Sequence, residues 1–172
     1  PHRGRSGRVT GRPGIDPGQT IALFNEEGPG CLLHWWLTCD RKRPEEARDP
    51  AHDLRLRIYH DGAALPSVDM TLAQFFGVLL DQDLFTVDNA AFKILPANAF
   101  NSYWPLPFRH LRMELENTGK HGRAIWFMGE WQRYAEDAGR LHPRPGTALA
   151  RGRVLFRTGS IGFDKNRPGD TR

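Results

Sequence analysis

Turn-forming residues interrupt this chain at intervals of roughly 8–12 residues, and no apolar pattern of helical period lasts for as many as about twelve. Asp16-Pro17-Gly18, Gly28-Pro29-Gly30, Asp61-Gly62, Asp88-Asn89 and Asn117-Thr118-Gly119 each separate short apolar stretches. Runs of that length are too short for stable helices but suit strands. The pattern predicts strands over 19–24, 31–38, 54–59, 84–87, 91–95, 100–104, 107–116 and 124–134. In the third of these, Leu54, Leu56 and Ile58 alternate with Arg55, Arg57 and Tyr59. In 107–116, Leu111, Met113 and Leu115 alternate with His110, Arg112, Glu114 and Glu116, and further on Ile125, Phe127 and Trp131 share one face. One or two helical turns are expected over 71–78, with Leu72, Phe75 and Phe76 on one side, and the charged stretch 40–53 reads as an exposed loop. The fold class expected from this pattern is an all-β sandwich with one short helix.

Charge divides the chain further. The 172 residues suit a single domain, and the net charge is +4. That charge is unevenly spread, at +4 over 1–14, −6 over 15–139 and +6 over 140–172. The organisation expected is a basic disordered segment 1–14, a β-sandwich 15–139, and a basic tail 140–172 that is non-homologous or partly disordered. A nucleic-acid partner ranks last, because the body has no basic face with interleaved aromatics. Ten Phe, five Trp and three Tyr exclude disorder throughout, and no apolar run approaches the ~18 residues a membrane helix needs. The chain opens with Pro-His-Arg and shows no signal-peptide h-region, which reads as a fragment or processed piece and leaves the compartment open. Cys31 and Cys39, eight apart in one apolar run, lack metal-ligand spacing and read as two buried thiols.

Candidate chemistry is sparse. Glu114 and Glu116 sit two apart on a strand, so their Cα atoms are about 6.5–7 Å apart on one face. That overlaps the separation of the carboxylate pair in glycoside hydrolysis. The plain alternative is a solvated polar face opposite Leu111, Met113 and Leu115, and it carries more weight. Glu130, beside Gly129 and Trp131, is a third weak carboxylate candidate. The seven His show no paired ligand spacing, so no metal is expected, and no cofactor motif is present. His34, between Leu33 and Trp35, reads as a hydrogen-bonded histidine at the edge of the core. No serine lies in a Gly-x-Ser-x-Gly context. The most distinctive stretch is 100–108, Phe-Asn-Ser-Tyr-Trp-Pro-Leu-Pro-Phe. Tyr103 and Trp104 combine a flat apolar face with a polar handle, which suits stacking on a sugar ring. A hydrophobic plug at one end of the sandwich explains them equally well.

Four blocks of residues, in order, carry a family resemblance. Glu27-Gly28-Pro29-Gly30-Cys31 with His34-Trp35-Trp36-Leu37-Thr38 resembles the "GPG-x-I-x-H-I-W-x-T" block of glycoside hydrolase family 172. Arg57-Ile58-Tyr59-His60-Asp61-Gly62 with Pro66-Ser67-Val68 is similar to its "R-I-Y-x-D-G…P-S-V" block, and Phe75-Phe76-Gly77 to the "F-F-G" that follows. Ser102-Tyr103-Trp104-Pro105-Leu106-Pro107-Phe108 resembles "S-Y-W-P-M-P-F", with Glu116-Asn117 in place of the next "E-N". The resemblance implies a jelly-roll sandwich, trimer-based homo-oligomers, and retaining action on furanoside-containing carbohydrates with two carboxylates and no cofactor. It points to His34, Trp36, Tyr103 and Trp104 for sugar contact. The family's "W-G-E-G-D" and "G-T-E-D-Y" carboxylate blocks do not occur here, and the match stops at Pro143. No catalytic residue is therefore carried across. The expectation is a truncated or frame-shifted member that is inactive alone, with a non-catalytic carbohydrate-binding or oligomer-assembly module as the alternative.

Overall fold

A computed structural model describes residues 14–79, 83–95, 99–133 and 157–161, the last as backbone. The N-terminal segment and most of the C-terminal tail identified from charge lie outside the described residues. The all-β expectation with one short helix holds. Among the described residues ten strands occur, in the order β1 Gly14–Ile15, β2 Thr20–Cys39, β3 Leu54–His60, β4 Val68–Thr71, β5 Val87–Asp88, β6 Phe92–Leu95, β7 Ala99–Ser102, β8 Leu106–Asn117, β9 Arg123–Arg133 and β10 Arg157–Ile161. They are linked by antiparallel pairing in one curled sheet, along the path β4-β3-β8-β2-β7-β6-β5, with β9 joining β2 to β1 and β10.

The main departure from expectation is β2. Gly28-Pro29-Gly30 does not turn the chain, and residues 20–24 and 31–38 belong to one strand of 20 residues. This strand is the spine of the fold. Its first part pairs with β8 from Thr20 to Leu32, and its second part pairs with β9 from Gly30 to Cys39. From Trp35 to Thr38 it also pairs with β7, on the edge opposite β9. Strands β7 and β8 therefore follow one another along a single edge of β2, separated only by Tyr103-Trp104-Pro105.

Alternation fills the interior. Leu54, Leu56 and Ile58 from β3, Leu111, Met113 and Leu115 from β8, and Ile125 and Phe127 from β9 are all buried. Helix α1, Leu72–Phe75, starts with a capping box in which Thr71 and Gln74 each bond the other's backbone N–H. It packs on β3 and β4, while Phe76 just beyond it reaches Trp35 (5.5 Å between ring centroids) and Phe100 (5.2 Å). This closes the curl of the sheet around one core. The stretch 40–53 is less exposed than its composition implies. Pro50–His52 forms a buried 3-10 turn capped by Asp49, and Arg123 lies buried against Glu46. Cys31 and Cys39 are both buried thiols, on one extended strand about 26 Å apart, too far for a bridge between them. Burial, then the Asp49 and Asp40 carboxylates, pushes the Cys39 thiol far above its usual range.

Three carboxyls tie these elements together and set an acid limit. Arg55 bonds Asp69 at 2.5 and 2.9 Å and holds its carboxyl below the usual range. Burial opposes ionisation of Asp61, but the N–H groups of His110 (3.0 Å) and Arg109 (2.7 Å) outweigh it. Burial likewise opposes ionisation of Glu46, and its bond from Arg123 prevails. All three are thus more acidic folded than unfolded, so the unfolded chain binds protons first. Their contribution is complete above the ordinary carboxylate range and is lost as pH falls through the lowered folded values. The urea midpoint is expected to stay level from about pH 7 to about 5 and to fall below about pH 4. A midpoint that rises on acidification contradicts these pairings.

Candidate functional site

A bulge in β2 decides which way His34 points. The register of β2 against β9 shifts between Leu32 and His34, leaving Leu33 as the extra residue. Leu32 and Trp35 are both fully buried as a result, and His34 and Trp36 stand on the outer face. Strict alternation from Leu32 would have turned His34 inward. On that outer face His34 lies opposite Glu130 of β9, and Trp36 lies between Met128 of β9 and Asn101 of β7.

The side chains converge on the imidazole. His34 Nε2 lies 3.2 Å from Asn101 Oδ1, and Nδ1 lies 3.6 Å from Glu130 Oε2. Tyr103 stacks on the ring, with centroids 4.6 Å apart and planes 9° from parallel. Tyr103 is pinned by its own N–H, which donates to Ala91 O at 2.8 Å. Its phenol ring is about half exposed, so one aromatic face remains open to solvent. The result is a shallow platform of Tyr103 and Trp36 around a histidine held by an amide and facing a carboxylate.

Trp104 goes elsewhere. It stacks on Phe92 at 5.8 Å, and Phe92 in turn meets Phe75 and Phe76 at 5.2 and 5.3 Å. The loop between β7 and β8 thus sends Tyr103 to the outer face and Trp104 to an aromatic cluster at the rim of the core. Trp104 still exposes about half its surface.

Glu114 and Glu116 lie on β8, away from His34, on the part of the sheet built from β3, β4, β8 and the start of β2. They share a face, as strand spacing dictates, and each is held by arginine. Arg57 Nη2 bonds Glu116 at 2.5 Å, while Arg112 bonds Glu114 and lays its guanidinium over Tyr59, 4.0 Å from the ring centroid. With Arg55 and Asp69 they form a ladder of alternating charge. Glu130 is the carboxylate that joins the His34 platform, and Asn101 is a member that spacing did not identify. Asn101 sits 67 residues from His34 in sequence, and only its polarity beside Phe100 on a short strand marked it. Among the described residues, no group of three or more His, Cys, Asp or Glu is placed to hold a metal ion. Among them, too, no helix is long and apolar enough to cross a membrane.

Most of the platform falls in the part of the chain that a family model matches. No curated protein matches the chain. A family model described as GH172 domain-like matches residues 8–126, which covers His34, Trp36, Asn101, Tyr103 and the β3–β8 ladder and ends just before Glu130. With more than half of its residues matched, and an all-β fold to carry them, the chain is a glycoside-hydrolase-related domain and belongs to the GH172 domain-like family.

Proposed function

We propose that this domain holds a furanoside-containing carbohydrate on the outer face of β2, β7 and β9 and does not hydrolyse it unaided. The observation that carries this reading is the His34–Tyr103 stack beside Trp36, with polar groups at its edge. A sugar needs a flat apolar face for its C–H side and hydrogen-bonding groups around the rim for its hydroxyls. Tyr103 and Trp36 supply the first, and Asn101, His34 and Glu130 the second.

The placement of the carboxylates supports a binding role. A retaining glycosidase needs one carboxyl that is protonated and one that is a free nucleophile, about 5–5.5 Å apart. Glu114 and Glu116 are instead each committed to an arginine. Glu130 stands beside an imidazole rather than a second carboxyl.

Tryptophan fluorescence tests the reading. Arabinofuranose oligosaccharides are expected to quench the emission, and Tyr103→Ala to raise the dissociation constant about tenfold, the equivalent of one lost aromatic stack. A chromogenic α-arabinofuranoside should not turn over. Quenching that is indifferent to Tyr103, or turnover lost on Glu116→Gln, sinks the proposal.

A further inference from the structure

Two hydrogen-bond acceptors face each other at His34. Asn101 Nδ2 donates to Ala99 O at 3.5 Å, which directs Oδ1 toward His34 Nε2. A carbonyl oxygen only accepts, so Nε2 carries the proton. In the neutral ring the other nitrogen, Nδ1, then holds a lone pair. Nδ1 points at Glu130 Oε2 across 3.6 Å, and a carboxylate also only accepts. That gap is longer than a hydrogen bond, and Tyr103 stacked on the ring fixes its plane.

Such a pair is satisfied by a third group that donates into the gap, or by a proton on Nδ1. We propose that His34 Nδ1 and Glu130 form a two-acceptor clamp that captures a donating hydroxyl of the bound ligand, and that protonation of Nδ1 closes the clamp. This rests on the carbohydrate reading and sharpens it. A ligand whose hydroxyl is missing or methylated at that position brings no proton to the pair and loses that hydrogen bond.

Among the described residues, few charged or titratable groups surround the pair, and the backbone of β10 runs beside Glu130, which pairs with Ser160. Glu130 comes from β9, and Tyr103 carries the only titratable group of the β7–β8 loop. Lys93 of β6 stands across β7, opposite Asn101, with its ammonium held by Asp88 at 2.9 Å. Trp36 and Leu33 of β2 carry no charge. Imidazole is the side chain that changes charge between about pH 5 and 8. With Nδ1 protonated, a small swing of the exposed Glu130 side chain lets Nδ1–H donate to it, and a ligand hydroxyl must then displace a charge-assisted bond.

The full chain is titrated with methyl α-arabinofuranoside at about pH 8 and about pH 5, alongside Glu130→Gln. Binding by the unsubstituted protein is expected to be about tenfold weaker in acid, the loss of one hydrogen bond to a charged group. Glu130→Gln should bind more weakly at the higher pH and lose most of the pH difference. Nitrogen-15 NMR of the free protein at the higher pH should show His34 with Nε2 protonated and Nδ1 bare. Equal affinity at the two pH values, a protonated Nδ1 at the higher one, or an undiminished pH difference in Glu130→Gln overturns the clamp. Binding that depends on Tyr103 but on neither pH nor Glu130 overturns the clamp and leaves the carbohydrate reading standing. No binding at either pH overturns both.

Discussion

Alanine in place of Gly28 is expected to destabilise the fold by about 3 kcal/mol, the upper end of what overpacking costs, because the added carbon has nowhere to go. A Cβ at Gly28 would lie 2.4 Å from Phe108 O, 2.8 Å from Gly30 N and 3.0 Å from Arg109 Cα, all of them backbone atoms. Gly30 is equally confined, with Gln132 O at 2.6 Å and the Phe108 ring at 2.9 Å. The cause is the position of Gly30 in the sheet. It pairs with Phe108 of β8 on one edge and with Arg133 of β9 on the other, so a shift away from one strand is a shift into the next. A loss of that size lowers Tm by about 10 °C in a chain this long and removes a large share of an ordinary domain's stability. Gly14→Ala is the control, since its Cβ would meet nothing within 4 Å. Thermal unfolding of the two variants decides the matter, and equal Tm values refute the crowding argument.

The same residues show why β2 was not legible in the sequence. Gly-Pro-Gly is punctuation in most chains, and reading it as a turn follows from local preference. Here the glycines serve close approach between backbones, which depends on strands β8 and β9 lying far away in sequence. Where local signals and tertiary structure agree, the reading was sound. The alternation of Leu111, Met113 and Leu115, the helical turn expected over 71–78 and the Asn89 turn between β5 and β6 all depend on neighbours within a few residues. Asn89 Oδ1 accepts from Ala91 N and Phe92 N at 2.9 and 2.8 Å, so that turn is written into four residues.

The site divides along the same line. His34, Trp36 and Tyr103 were named from residue type and from family resemblance, and the fold brings them together. Their geometry depends on the bulge at Leu33, which no residue type announces, and on pairings across β2 that bring Asn101 and Glu130 alongside. Tyr103 and Trp104 are adjacent and chemically alike, so sequence offered no reason to send them apart. The separation comes from the chain running along the edge of β2 between two strands, where successive side chains take opposite sides.

Trp35 lies directly beneath this platform, and its removal is expected to have the largest effect of any single substitution considered. The side chain is fully buried and its ring meets Phe75, Phe76 and Phe127 at 5.7, 5.5 and 6.2 Å. Trp35→Ala should cost about 3–5 kcal/mol, from lost transfer energy and the cavity left behind. Trp35→Phe should behave differently. The indole Nε1 is buried and finds no hydrogen-bond acceptor among the described residues, and neither does the hydroxyl of Ser102, its direct cross-strand partner. A buried polar group without a partner costs about 1–3 kcal/mol, so phenylalanine relieves a penalty while it leaves a smaller void. The expected net loss is within about 2 kcal/mol, and Ser102→Ala should be neutral or stabilising by the same reasoning. Chemical denaturation of the three variants separates packing from polarity. If Trp35→Phe is as damaging as Trp35→Ala, the indole N–H contributes to stability and the polar pair is satisfied. If the ordering holds, His34 and Trp36 are carried by a core that tolerates loss of the N–H but not loss of the ring, and their alignment with Asn101 and Glu130 is a consequence of packing one layer below.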